Sequence, residues 1–409
     1  MILSIKLKTS CSFRSIEKSL RIVNFYYNLS SKIPSHVTIS NWVKKLGYYQ
    51  IMKPIEQAKD WIIIVDESIQ LGPEKLLVIL ALRASYIDFN RPLNYNDVDV
   101  VTLISKQGWN AEKIRNEIKI AEKKLGKIAY AVSDKGASIT KALELCSICQ
   151  IHDITHKISI IVKKIYKKDA EFTEFNKALA SLRLQVQQSK IAHILPPQQR
   201  AKCRFMNLKP LSEWGLKALD LLNQERQVKI KDITTNEIIS KLEWLSNKEF
   251  FIQEMQGIMD VIDKIFSLIK SHGLNKSNVR KCRSFMSTLK TTKGKIFKKE
   301  INLYFEEILN MRLPNKKILC TSDIIESAFG KYKMIAGSAT ASGITDISLC
   351  IPAFTSDLNI NEIQNILESV GTKNVKQWTA ENIGESLLKR RCNVFKIKNR
   401  THKCLSKVA

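Results

Sequence analysis

The run Trp61–Asp66, "WIIIVD", constrains this fold more than any other stretch: five apolar residues, three of them isoleucine, end on a carboxylate. An unbroken β-branched run has no polar face, so it reads as a strand covered on both sides. Such a strand needs neighbours in a sheet and helices packed on it. The next residues supply both. "EKLLVILALRAS", 74–85, is a second strand after a tight "LGPE" turn, and "DVDVVTLIS", 97–105, is a third. "NAEKIRNEIKIAEKKLG", 110–126, has the spacing of an amphipathic helix and a glycine at its end. "KIAYAVSDKGASI", 127–139, is a fourth strand that runs into Asp134. A helix near 136–146, a short fifth strand "ICQIHDI" at 148–154 and a helix over 155–166 follow.

The order is β-β-β-α-β-α-β-α, which matches an RNase H-like α/β architecture with a mixed sheet. The first and fourth strands pair in that architecture, so Asp66 and Asp134 become neighbours. Either Asp alone reads as a strand-end turn residue; two on matching strands read as a site. From 169 to about 320 only helical periodicity remains, in segments 170–190, 208–224, 234–270, 275–290 and 293–311. After it comes "TSDIIESAFGKYK", 321–333, with Asp323 and Glu326 three positions apart. Read alone, this is a capping-box spacing at a helix start. Beside two strand-end acids, the roles divide: Asp323 caps the helix and Glu326 becomes a third carboxylate. Two-metal phosphodiester chemistry needs such a set of hard oxygen ligands.

With "IIIVDES", "AVSDKG" and "SDIIESAFGKYK" in this order and context, the chain resembles the DDE transposases of bacterial insertion sequences. Their RNase H-like core is interrupted by a helical insertion. "PSHVTISNWVKKLG" and "RAKCRFMNLKPLSEW", 200–214, add to the resemblance, which spans roughly 10–345. It implies that Asp66, Asp134 and Glu326 are catalytic and hold two Mg²⁺ ions, with Mn²⁺ as a substitute. Asp66 bridges both ions and each of the other acids holds one. It further implies hydrolysis at transposon ends, strand transfer into target DNA, and a homodimer or larger assembly on terminal inverted repeats. One subgroup carries a Y-x2-R-x3-E-x6-K signature. Here Lys333 stands at the right distance from Glu326, but Leu319 and Ser322 hold the Tyr and Arg positions.

The front end reads as a helix-turn-helix. Residues 12–27 carry apolar Ile16, Leu20, Ile22, Val23 and Tyr26, and a second helix starts at Ser35 and stops at Gly47. Its apolar stripe is Val37, Ile39, Trp42, Val43 and Leu46. The opposite face offers Thr38, Ser40 and Asn41 to base edges and Lys44 and Lys45 to phosphates. The alternative is an ordinary amphipathic hairpin. With 66 Lys+Arg against 39 Asp+Glu the chain has a formal charge of +27, which favours a polyanionic partner, DNA first. Further candidate phosphate contacts are Arg200, Lys202, Arg204 and Lys209, then Lys281, Arg283, Lys290, Lys293 and Lys295, and finally Lys331 and Lys333 beside the third acid.

Asp153 and His156 in "HDITH" are candidates to line the active site, against a simple helix cap. The C-x2-C-x2-H-x3-H spacing of Cys146, Cys149, His152 and His156 is too tight for zinc. Nine scattered cysteines and the lack of a signal-like start or a membrane-length apolar run point to the cytoplasm, at the nucleoid, with no membrane partner. The expected organisation is a helix-turn-helix domain at 1–55, the first part of the core at 56–168 and an all-helical insertion at 169–319. Residues 320–409 complete the core and add basic C-terminal helices. The competing functions are an inactive, transposase-derived DNA-binding protein and a structure-specific nuclease.

Overall fold

The computed structural model describes the chain except for positions 10, 29, 31, 70–73, 200–204, 206, 228–232, 312, 314–315, 337–342 and 406–409. The chain forms two compact units. One comprises Met1–Asp88, Pro92–Ile151 and Ser322–Ala409; the other comprises Phe89–Arg91 and His152–Thr321. Among the described residues no helix is long and apolar enough to cross a membrane.

The first unit opens with helices α1 (Ile2–Lys8), α2 (Phe13–Tyr27) and α3 (His36–Met52). Strands β1 (Ala58–Ile69), β2 (Glu74–Arg83) and β3 (Asp99–Gln107) follow, then α4 (Ala111–Leu125), β4 (Gly126–Ser133), α5 (Ala137–Leu145) and β5 (Gln150–His152). The sheet order is β3-β2-β1-β4-β5. β1 pairs antiparallel with β2 and parallel with β4, and β2 pairs antiparallel with β3. Strands and helices fall within about three residues of their expected places, and the "LGP" of the first turn lies outside the described residues. The apolar run explains the placement of β1. Trp61, Ile63 and Val65 pack with Ile114 and Ile118 of α4 and Ile139 and Leu143 of α5, while Ile62 and Ile64 face the other way, fully buried. Gly126, at φ +90°, lets α4 turn directly into β4; a Cβ there would stand 2.6 Å from the Ala58 carbonyl oxygen.

The second unit is helical: α6 (Ile154–Tyr166), α7 (Ala170–Val186), α8 (Lys209–Gln227), α9 (Ile233–Leu242), α10 (Glu249–His272), α11 (Lys276–Met286) and α12 (Thr292–Asn310). An isolated bridge pairs Leu274 with Ile318. The helical unit starts at His152 rather than at 169, because α6 packs into it through Tyr166, whose ring meets Phe172 and Phe251. Periodicity shows that α6 has a buried face but not which unit buries it.

The chain then re-enters the first unit with α13 (Asp323–Ala336), α14 (Cys350–Ala353), α15 (Ile360–Ser369), α16 (Thr372–Asn382) and α17 (Leu387–Leu405). These late helices enclose α3. Ser35 caps α3 as expected, its hydroxyl accepting from the Thr38 amide at 3.2 Å. Gly47 does not stop it. The helix continues to Met52, and Gly47 is where the backbone of Leu349 comes closest; a Cβ would lie 1.8 Å from that carbonyl oxygen. The front end is thus no separate body: α3 belongs to the same compact unit as the sheet. On α2 only Ile16 of the five apolar positions is buried, and Ile22 and Tyr26 are exposed. Glu17 fastens α2 to α3 by accepting from the His36 amide (2.8 Å) and pairing with its ring (2.7 Å) and with Arg21 (2.8 Å).

Candidate active site

Ile62 pairs with Tyr130, Ile63 with Ala131 and Ile64 with Val132, so the pairing of β1 and β4 runs to two residues before Asp66 and Asp134. Strand alternation puts Asp66 on the face of Ile62 and Ile64, turned away from α4 and α5, since Ile63 and Val65 belong to the opposite cluster. Helix α13, which carries Glu326, packs against β1, and none of its buried residues belongs to the α4–α5 cluster. All three acids are half-buried.

Each carboxylate is also part of a local structure. Asp66 Oδ1 accepts from the Glu67 amide at 2.7 Å. Asp134 Oδ1 accepts from the Gly136 amide at 2.8 Å, closing a turn around Lys135 at φ 59° and delivering the chain into α5. α13 begins at Asp323 itself, with the Ser322 carbonyl accepting from Ile325 (3.0 Å) and Glu326 (3.4 Å). Asp323 is therefore the first helical residue and not the cap. Both acids sit in the first turn, where the positive helix end favours them.

Three carboxylates offer only hard oxygen donors, the chemistry that suits Mg²⁺ or Mn²⁺. As the side chains stand, no group of three or more His, Cys, Asp or Glu among the described residues could hold a metal ion.

The two lysines on α13 part company. Ile324, Ile325, Ala328, Phe329 and Tyr332 form its buried stripe. At 100° per residue, Glu326 and Lys333 lie on one flank of that stripe, whereas Lys331 is about 140° from Glu326, on the other. Lys333 is exposed. The Lys331 ammonium stands 4.3 Å from the Tyr95 ring centroid and 5.4 Å from that of Phe354, and burial lowers its pKa. The Tyr95 hydroxyl meets Ser327 Oγ at 2.7 Å; burial raises the phenol, with the serine bond opposing. Tyr95, Ser327 and Phe354 gave no signal in the sequence. Tyr95 sits in a short non-periodic segment before β3, and its partners are more than 200 residues away.

The other predicted contacts have these surroundings. Thr38, Ser40 and Asn41 are half-buried on α3. Lys44 bridges to Asp346 at 2.6 Å, and Lys45 donates to the Leu367 carbonyl at 2.7 Å. A groove-reading helix needs an open polar face, and on α3 that face is largely covered by the later helices. Arg200, Lys202 and Arg204 lie outside the described residues. Asp153 is fully buried in the helical unit and caps α6, accepting from the His156 amide at 2.8 Å. Lys293 serves the interior of the helical unit. It pairs with Glu254 at 3.1 Å and Asp169 at 3.3 Å, above the Phe251 ring.

No family model matches the chain, and no curated protein matches it in sequence. Among solved structures, the Drosophila P element transposase strand transfer complex is similar, with a TM-score of 0.42 and 12% identity. The alignment covers 86% of this chain and 93% of that one.

Proposed function

We propose that this chain is a DNA transposase with an RNase H-like core, of the kind carried by bacterial insertion sequences. Its reaction is phosphodiester hydrolysis at transposon ends followed by strand transfer. One observation supports the reading: β1 and β4 pair in parallel up to Ile64 and Val132, two residues before Asp66 and Asp134, and α13, which carries Glu326, packs against β1. The net charge of +27 supports DNA as the partner.

In this reading Asp66, Asp134 and Glu326 would hold two Mg²⁺ ions, which would supply an activated attacking oxygen and a stabilised leaving oxygen. Asp66 and Asp134 each have lone pairs beyond the one given to a backbone amide, so that local bond does not bar a second role. The amide bonds fix Asp66 and Asp134 on the backbone; Glu326 comes in on a helix. Lys333, on the same flank as Glu326, supplies a cation to a scissile phosphate. The 3′-hydroxyl of the released end attacks the target phosphodiester, forming one P–O bond as another breaks. The working form is a homodimer or larger assembly on paired ends.

A second reading is a DNA-binding protein without cleavage. The turn and strand-end bonds of Asp66 and Asp134 favour it, since they suffice to explain both residues. One experiment separates the two. Duplexes from either flank of the gene are incubated with the protein and Mg²⁺ or Mn²⁺, and binding is followed by anisotropy. The first reading expects metal-dependent cleavage that Asp66→Asn lowers roughly 10²-fold or more while binding stays within about twofold. Binding without cleavage by the unaltered protein supports the second. Equal loss of binding and cleavage in the variant makes Asp66 a structural acid.

A further inference from the structure

Residues 276–299 contain nine Lys or Arg and no Asp or Glu. The structure sorts these cations. Lys293 is turned inward onto Glu254 and Asp169. Arg283 pairs with Glu306 and donates to Asn302 Oδ1 at 3.0 Å. Lys298 is half-buried. The remaining six, Lys276, Arg280, Lys281, Lys290, Lys295 and Lys299, are exposed, and their side chains make no ion pair among the described residues.

Three features make this more than a solvated helix face. First, the cations are contiguous. Lys276, Arg280 and Arg283 follow one stripe of α11, and Lys295, Lys299 and Asn302 follow one stripe of α12. The Arg283–Asn302 bond ties the stripes into a single surface. Second, the placement opposes local stability. Neither helix has an acid in its first turn, and Lys276 and Lys295 stand at the positive ends of α11 and α12. A cation is unfavourable there, and like charges four apart on a helix repel. Such a conflict is relieved when an anion binds. Third, the residues between the cations are hydroxyls. Ser277, Ser284 and Thr292 are exposed. Hydroxyls donate to phosphate oxygens. α11 exposes no large apolar side chain and α12 exposes Ile296 and Leu303, short of the continuous Trp, Phe or Leu face that a membrane-surface helix sets beside its cations.

We propose that the α11–α12 face of the helical unit is a binding surface for the phosphate backbone of duplex DNA, without sequence preference. It is built from residues other than the three carboxylates, and the proposal does not rest on cleavage. Lys276, Arg280, Lys295 and Lys299 make the central contacts.

The test uses the full chain and a quadruple variant, Lys276→Gln, Arg280→Gln, Lys295→Gln and Lys299→Gln. A control replaces Lys177, Lys190, Lys217 and Lys264, four exposed lysines elsewhere in the same unit, with Gln. Circular dichroism and thermal melting establish that both fold. Affinity for a random-sequence 30-base-pair duplex is measured across a salt series. The surface variant is expected to lose at least tenfold in affinity. Its log–log salt slope falls by about 0.9 for each phosphate that is no longer neutralised. The control changes less than threefold. Equal loss in both sets reduces the effect to net charge and overturns the proposal, as does no loss in the surface variant. So does unchanged duplex binding with abolished binding to phosphatidylserine vesicles. Asp66→Asn is measured alongside; it leaves this binding intact whether or not the chain cleaves DNA, so the two proposals fail separately.

Discussion

Lysine has different fates in the two units. In the sheet-bearing unit, Lys44, Lys45 and Lys331 are each taken up by an internal partner: a carboxylate, a backbone carbonyl and a pair of aromatic rings. In the helical unit one lysine of the basic run, Lys293, is internal, and six cations of the same run stay in water. A high positive charge is therefore not a map of the surface. Lys44, Lys45 and Lys331 hold elements of one unit together, while the six cations of the basic run are left available.

Three substitutions probe this contrast, beginning with the largest expected loss. Gly47→Ala puts a methyl group against the Leu349 carbonyl, where only backbone could move aside. It should cost about 3 kcal/mol and lower the melting temperature by about 10 °C. A shift under about 2 °C would mean that α3 and the later helices are only loosely joined. Lys293→Met is next. It strands Glu254, which is almost fully buried, and should cost about 2 kcal/mol in urea melts, more than Lys295→Met two residues away. Burial opposes the Lys293 charge, but Glu254 and then Asp169 outweigh it, so the folded pKa is raised. Its contribution is complete below the ordinary lysine value near 10.5 and fades as pH rises through the folded value. A variant whose stability matches the unaltered chain at pH 8 would remove the internal role. The smallest effect belongs to Glu17. Bonds from Arg21 and then from the His36 amide and ring hold its pKa down to about 2. This contribution is present above the usual 4.5 and is lost as pH falls towards 2. Glu17→Gln should flatten that acid limb in a fluorescence titration, and an unchanged limb would free α2 from α3.

The sheet was legible because β-branched runs report burial locally: Ile62, Ile63 and Ile64 need no distant partner to declare a strand. The parallel neighbour of β1 followed from element order. What failed to show depends on distant partners. A glycine in a helix reads the same whether it ends the helix or admits a backbone, and Leu349 decides the matter for Gly47. Lys331 and Lys333 look equivalent two residues apart, yet Tyr95 and Phe354 take only one of them. The start of the helical unit moved to His152 because α6 finds its core there, which its own amphipathic pattern does not specify.

The enclosure of α3 also sets a schedule for synthesis. Lys44 and its partner Asp346 are 302 residues apart. At about 5–20 residues per second, α3 leaves the ribosome roughly 15–60 s before its packing surface exists. During that interval Ile39, Val43 and Leu46 have no late helix to cover them, and the first unit can close only when nearly the whole chain has been made. Prematurely terminated products, lacking that closure, are consequently the forms most exposed to chaperones and proteases.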